Sequence, residues 1–461
     1  MMKKDNICAL ATASGMGAIA VIRVSGPDAI TICTPLFKSV KEGKSLLNQK
    51  THTIHLGTIM DGTQLVDEVL VSVFKGPNSY TGENVVEISC HGSNYIQQQI
   101  LQLLIKKGCR TAEPGEFTFR AFMNGKIDLS QAEAVADLIS SSNEKSHDLA
   151  LAQMRGGFSS EIQALRKELI KFASLIELEL DFSTEDVVFA DRKELDGLLN
   201  RLKMVLRKLV DSFALGNVLK NGIPVAIVGE PNVGKSTLLN TLLNEERAIV
   251  SEIAGTTRDT IEDELVIDGM SFRFIDTAGI RETKDTIESI GIEKTFEKIK
   301  QAKVVLYLFD ASTANSEMVH AEMLKLEEHT NGKQLIAVAN KVDKGDLPSI
   351  ESSFGDLSNI LFISAKHKNN VDHLKELLTE KVKQGLLNND DVIISNSRHF
   401  EGLTNALDHV VQVQDGLGLG VSGDLLAMDI RQSLFHLGEI TGEITTDDLL
   451  DSIFRDFCIG K

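Results

Sequence analysis

A surplus of positive charge is what this sequence most clearly lacks. Its formal net charge is -18 over 461 residues, so no global basic field exists to hold nucleic acid non-specifically. Any nucleic acid must be met through a local patch or through a partner's surface. Cysteine is sparse and scattered, at Cys8, Cys33, Cys90, Cys109 and Cys458, with no CxxC pair and no histidine-rich spacing. An odd, dispersed set argues against a disulfide framework or a zinc site and fits a reducing, cytoplasmic setting. No apolar run is long enough to span a bilayer, which removes a gate for membrane transport from the candidates. The opening stretch MMKKDNICALATASGMGAIAV faintly resembles a secretory leader, but Thr12, Ser14, Gly15 and Gly17 interrupt it. It runs on into VIRVSG and reads as strand. Cys458 lies fourth from the end, yet Gly460 and Lys461 do not suit a prenylation box. Finally, no proline occurs between Pro114 and Pro224.

Between these absences the chain changes texture three times, and its length suggests about three domains. Residues 1–125 read as α+β. Val69, Val71 and Val73 share one face of a strand, and Val86, Ile88 and Cys90 alternate along another. Ser93 is placed to cap a helix with Ile96, Ile100 and Leu103 inward, stopped at Gly108. The proline-free region, 126–217, is helical-bundle sequence. Ile162, Leu165, Leu169, Phe172 and Ile176 recur at spacings of three and four, as do Leu195, Leu198, Leu202, Val205 and Leu209. Residues 218–384 alternate strand, loop and helix: IPVAIVG, SFRFIDTAG, KVVLYLFD, QLIAVANK and NILFISAK are short apolar runs divided by helical stretches. That pattern predicts a mostly parallel α/β sheet. Residues 385–461 return to helix. The economical reading is one helical domain with an α/β domain inserted in it, although two separate helical domains would give the same pattern.

GEPNVGKS, from Gly229 to Ser236, follows a predicted strand and opens a predicted helix. In that context GxxxxGKS is a P-loop. Its N–H groups and the helix N-terminus cradle phosphates, Lys235 reaches the β- and γ-phosphates, and Ser236 ligates Mg²⁺. Companions follow in order. AGTTRD places Thr257 as a second hydroxyl for Mg²⁺, DTAG (276–279) ends a strand with Asp276 near the metal and Gly279 at the γ-phosphate, and NKVD (340–343) ends a later strand. Asp343 there can accept two hydrogen bonds from guanine N1 and N2, which adenine cannot supply. SAK (364–366) closes the base pocket. This set resembles the Ras-like GTPase family. The expected nucleotide contacts are Asn232, Val233, Gly234, Lys235, Ser236 and Thr237; Ser251, Glu252, Ile253, Ala254, Gly255, Thr256 and Thr257; Asp276, Thr277, Ala278 and Gly279; Asn340, Lys341 and Asp343; and Ser364, Ala365 and Lys366.

One departure is informative. Ras-type enzymes place a water-orienting glutamine after DTAG, and here the position is Ile280. Another group must orient water, and Arg281, Glu282 and Glu288 lie just beyond. No arginine finger is evident. The amide oxygen of Asn232 could hold a monovalent cation in its place, or Asn232 is simply a turn residue after proline.

The flanks carry a more specific resemblance. RVSG near the start, GPNSYTGENVVEISCHG (76–92), PGEFTFRAFMNGKIDLSQAEAVADLI (114–139) and LGEITGEITTDDLLDSIFRDFCIGK (437–461) are together similar to the MnmE (TrmE) family of tRNA modification GTPases, over the whole chain. The resemblance implies a folate-binding N-terminal domain, a discontinuous helical domain and an inserted Ras-like P-loop GTPase domain. It implies GTP/GDP, Mg²⁺, K⁺ and a tetrahydrofolate derivative (5-formyl or methylene) as ligands. It also implies a homodimer through N-terminal domains, with G domains pairing in the GTP state. The implied partners are an MnmG (GidA)-like FAD protein and tRNA, and the implied reaction is modification of wobble uridine 34 at C5. Carried over, the potassium ligands fall on Asn232, Ser251, Ile253 and Thr256, the catalytic glutamate on Glu288, and folate contacts on Arg23, Glu83, Lys126 and Lys461. From the residues alone, Arg23, Glu83 and Lys126 would read as surface charges. Leu450, Ile453, Phe454 and Phe457 form the apolar face of a last helix starting near Thr445 or Thr446, which should dock the tail at a fixed place. Cys458 is then a candidate nucleophile, general acid or redox group, or part of an anchor with Phe457 and Ile459. A ribosome-assembly GTPase switch binding rRNA is the competing reading. A basic KH-like domain would favour it, and none is seen.

Overall fold

The computed structural model describes residues 5–181, 191–246, 263–275, 299–330, 333–355, 357, 360–383, 393–455 and 457–460. Two units divide them. The first comprises residues up to 139 with 153–198 and 408–461; the second comprises 140–152 and 199–407.

The first unit is built on a seven-stranded sheet: β1 (Asn6–Leu10), β2 (Ile19–Ser25), β3 (Phe37–Ser39), β4 (Thr53–Asp61), β5 (Gln64–Phe74), β6 (Val85–His91) and β7 (Cys109–Thr111), in the order β3-β4-β5-β6-β2-β1-β7. All neighbours are antiparallel except β1 and β7. The leader-like opening stretch thus forms β1 and enters β2. The alternation expected for β5 and β6 holds: Val69, Val71, Val73, Val86, Ile88 and Cys90 are all buried. They pack with the short helix α1 (Ala29–Cys33) and with Ile100, Leu103 and Leu104 of α2 (Asn94–Lys106). Ser93 occupies the N-cap position of α2, but its side chain makes no cap bond, so the cap chemistry expected of it is absent.

Helices α3 (Glu116–Met123), α4 (Leu129–Ser140), α5 (Glu144–Met154), α6 (Ser159–Asp181) and α7 (Arg192–Asn221) follow. The repeats read from the sequence are their inner stripes. Ile162, Leu169 and Ile176 are fully buried in α6, as are Leu195, Leu198 and Leu202 in α7; Val205 is only half-buried.

The second unit carries β8 (Ile223–Val228), α8 (Lys235–Glu246), β9 (Asp263–Ile267), β10 (Met270–Phe274), β11 (Val304–Asp310), α9 (Ser316–Thr330), β12 (Gln334–Asn340), α10 (Leu347–Ser353), β13 (Ile360–Phe362) and α11 (Val371–Lys383). The sheet order is β13-β12-β11-β8-β10-β9, parallel except for the β9–β10 hairpin. Its strand centres are apolar on both faces, as burial between helix layers requires. Val225, Leu306 and Val338 enter one core, and Ala226, Val305 and Ala337 enter the other. The five strands expected from the sequence are present, and β9 is additional.

Three helices close the chain: α12 (Ser397–Leu419), α13 (Gly423–Thr441) and α14 (Asp447–Arg455). In the first unit α13 lies against α6, where Arg166 donates to the Leu434 carbonyl (3.3 Å) and pairs with Glu443. Thr446 caps α14 through the Leu449 N–H (3.3 Å), as expected. Leu450, Phe454 and Phe457 are buried with Leu129 and Ala132. Among the described residues no helix is long and apolar enough to cross a membrane.

Candidate functional site

The P-loop forms where β8, a central strand, ends and α8 begins. Two of the side chains there are tied to main chain. Lys235 Nζ donates to the carbonyls of Gly229 (2.6 Å) and Glu230 (2.8 Å). The side chain of Asn340 bridges two loops: its Nδ2 donates to Val233 O (2.8 Å) and its Oδ1 accepts from Ala365 N (3.0 Å). Gly234 must be glycine. Its φ is 104°, and a Cβ would lie 2.3 Å from Asn340 Nδ2. Ser236 and Thr237 sit in the first turn of α8, where the helix dipole favours phosphate.

The base-reading side is assembled from the ends of β12 and β13. Asp343 follows β12, and Ser364 Oγ donates to its carboxylate at 2.5 Å. That bond is the main cause holding the Asp343 carboxyl below the usual carboxylate range, so it stays an acceptor at neutral pH. Thr241 of α8 donates to Ala365 O (2.9 Å), tying α8 to the same loop. Lys366 is exposed beside them. Lys341 has a left-handed backbone (φ 67°), and its Nζ meets Asn232 O at 2.6 Å and Asp310 Oδ2 at 2.7 Å. A cavity of about 610 Å³ borders the α9 side of the P-loop, lined among others by Asn232, Tyr307, Asp310, Met318 and Lys341. The structure therefore brings together Asn232, Val233, Gly234, Lys235, Ser236, Asn340, Lys341, Asp343, Ser364, Ala365 and Lys366. Ser251, Glu252, Ile253, Ala254, Gly255, Thr256, Thr257, Asp276, Thr277, Ala278, Gly279 and Glu288 lie outside the described residues, as do Ile280, Arg281 and Glu282.

A second polar site lies in the first unit. Arg23 of β2 pairs with Glu87 of β6 (2.9 Å), its registered neighbour. Its guanidinium carbon lies 5.4 Å from the Tyr80 ring centroid and 5.6 Å from that of Phe117, within cation–π range. Arg23 Nη1 also donates to Gly460 O (3.3 Å). The tail beyond α14 thus docks on its own chain: Cys458 O accepts from Gly115 N (3.4 Å), and Ile459 bridges to Pro114. Gly460, with φ 100°, seats so close that a Cβ would stand 2.1 Å from Leu10 O. Cys458 is exposed at this junction. Lys461 lies outside the described residues.

Glu83 lies in the loop between β5 and β6. It accepts from Ser25 Oγ (2.7 Å) and from Arg120 Nη1 (3.1 and 3.2 Å). Arg120 is only 1% exposed and also pairs with Asp5 (2.6 Å) and Glu116 (2.9 Å). Burial alone would raise the Asp5 and Glu116 carboxyls, but hydrogen bonds from the two arginines, 110 and 120, outweigh it and hold both below their usual range. Lys126, exposed, donates to Pro77 O (3.0 Å) in the same 76–84 loop, and Asn124 Nδ2 donates to Thr81 O (2.7 Å). Arg23, Glu83 and Lys126 are therefore parts of one built corner and not independent surface charges. Sequence reasoning missed Arg120, Tyr80 and Asp310. The only signals were a charge inside the apolar EFTFRAF run and an aspartate closing KVVLYLFD.

A P-loop at the head of a parallel sheet, an asparagine joining it to the base loop and an ionised aspartate for the base define a guanine-nucleotide-binding protein. Comparisons place it more narrowly. The model for the GTP-binding protein TrmE N-terminus matches residues 6–126, and that for the MnmE helical domain matches 129–458. The chain is 62% identical to the tRNA modification GTPase MnmE of Flavobacterium psychrophilum over 100% of both chains. It is 55% identical to that of Bacteroides fragilis, again over 100% of both. Among solved structures, an Era variant of Aquifex aeolicus bound to GDP.AlF4- is 30% identical over 40% of this chain and 66% of that one, with a TM-score of 0.27. The chain belongs to the MnmE (TrmE) family.

Proposed function

We propose that this GTPase is the GTP-hydrolysing subunit of a tRNA-modifying complex. With an FAD-dependent MnmG (GidA)-like partner it adds an aminomethyl-type (carboxymethylaminomethyl) group at C5 of wobble uridine 34, using a one-carbon unit from a tetrahydrofolate derivative. The observation that carries the reading is the tail of the chain seated on Arg23 in the corner that also holds Glu83 and Lys126. The donor set suits a folate: carboxylates for cations, and Glu83 for a pterin donor edge. A carboxylate has about four acceptor positions, so Glu83 can accept more bonds than Ser25 and Arg120 give it.

In the nucleotide site Ser236 and Thr257 would hold Mg²⁺. Asn232, Ser251, Ile253 and Thr256 would hold K⁺, supplying the positive charge that an arginine finger gives elsewhere. Glu288 would orient water in place of the missing glutamine. Two copies would associate through their N-terminal domains, and their G domains would pair in the GTP state. GTPase rates in potassium and sodium at equal ionic strength test the cation; equal rates would remove it. Glu288→Ala should lose turnover while still binding GTP, and retained turnover would move the role to Glu282 or elsewhere.

The reaction is tested by nucleoside mass spectrometry of tRNA from cells whose only copy carries Cys458→Ser, beside wild type and a deletion. Loss of the wobble modification in the serine variant, with GTP hydrolysis intact, assigns chemistry to the tail. Normal modification in that variant makes the tail an anchor. Normal modification in the deletion, with no second copy in the genome, would overturn the tRNA reading in favour of rRNA binding.

A further inference from the structure

Asp310 is the last residue of β11 and stands opposite Asn340 across the parallel pair β11–β12. Its two carboxylate oxygens have different partners. Oδ1 accepts from the N–H (3.0 Å) and hydroxyl (2.6 Å) of Ser312, which fixes the rotamer. Oδ2 meets Lys341 Nζ at 2.7 Å. The same ammonium reaches Asn232 O at 2.6 Å. Asn232 has a left-handed backbone with φ 65°, a conformation that its neighbours must maintain. The side chains of Lys341 and Asp310 are 25% and 14% exposed, so the pair is only partly screened by water. Burial would raise the Asp310 carboxyl, but hydrogen bonds from Lys341 and Ser312 outweigh it and hold the carboxyl below its usual range.

We infer that Asp310 is a positioning residue for guanine-nucleotide binding: it holds the Lys341 ammonium against Asn232 O and so fixes the P-loop in its nucleotide-ready shape. A lysine on a flexible stem beside an anion site has water and phosphate as alternative partners. A carboxylate behind it, locked by Ser312, removes that freedom before nucleotide arrives. Asp310 itself does not touch the reacting atoms, so its loss should appear in nucleotide residence and not in the hydrolytic step.

The test uses the full chain and fluorescent GDP release by stopped flow, with KM and kcat for GTP. Asp310→Ala should speed GDP release and raise KM about tenfold, the worth of one partly exposed charge-assisted hydrogen bond. The value of kcat should stay within about twofold. Placing Asp310→Ala in a Lys341→Ala background should add nothing, because the effect passes through that lysine. Additive losses in the double variant would overturn the inference, as would unchanged GDP release in the single one. Ser312→Ala loses the hydroxyl bond but keeps the main-chain N–H that anchors Oδ1 (3.0 Å), so the Lys341 pair survives and GDP release should stay near wild type. If it reproduces the Asp310→Ala defect, Asp310 acts as a turn cap and the inference fails. Should Asp310→Ala not fold, Asp310→Asn keeps the acceptor for Ser312 and removes only the charge, and it must show the same faster release.

Discussion

The two polar sites are held together by different balances of ion pairs and main-chain bonds. In the first unit, charged side chains hold one another: Arg120 is enclosed by Asp5, Glu83 and Glu116, and Arg23 is backed by Glu87. In the second unit, main chain takes a larger share: Lys235, Asn340 and Lys341 each donate to a P-loop carbonyl, with Asp310 a second partner of Lys341. A carbonyl can be exchanged for a phosphate oxygen at little cost, whereas a buried ion network cannot be opened piecemeal. The first site is a fixed mould. The second is a loop whose bonds are ready to be traded for a ligand's.

The sharpest way to break this contrast is Arg120→Ala. It leaves three carboxylates without their shared cation and should cost about 3–5 kcal/mol of stability, read by urea or thermal melting. Lys235→Ala should leave the melt unchanged yet weaken GTP binding at least about a hundredfold, measured with a fluorescent analogue. A swap of those two outcomes would refute the contrast. Next, Asp343→Asn replaces an acceptor with an amide. It should lower guanine-nucleotide affinity by about tenfold or more per lost charged bond and shift preference toward a base carrying a carbonyl at C2, as competition binding would report.

Acid sharpens the comparison further. The Asp5 and Glu116 carboxyls are held below their usual range, so the stability they contribute is fully present above the ordinary carboxylate pKa. It is lost as pH falls through their lowered native values. Asp343 obeys the same sign, but its titration should reduce guanine binding more than it reduces folding. Parallel pH titrations of the melt and of GDP affinity separate the two. The smallest effect is expected at Arg431–Glu177, an exposed pair (62% and 44%) joining α13 to α6. Arg431→Ala should change stability by no more than about 1 kcal/mol.

Much of the nucleotide site was legible in the sequence because its parts are local. A glycine-rich turn, a lysine and a serine are consecutive, and each supplies its own backbone geometry. The inward stripes of α6 and α7 were legible for the same reason, since periodicity is a local signal. β9 was not: DELVI opens with two acids and forms a strand only because β10 pairs with it. Arg120 and Asp310 were not legible either: each has one local partner, Glu116 and Ser312, but Asp5, Glu83 and Lys341 come from far away in the chain. The tail helix could be expected to dock, but its landing place depended on Gly115 and Leu10, which nothing in their own neighbourhoods marks.

The bond from Arg23 to Gly460 joins residues 437 positions apart. During synthesis the arginine leaves the ribosome first and must wait for the glycine. At about 5–20 residues per second that interval is on the order of 20–90 s. The β1–β2 corner is therefore completed only after residues 199–407 of the guanine-binding unit have been synthesised. A nascent chain would gain its guanine-binding unit before it gains the closed corner.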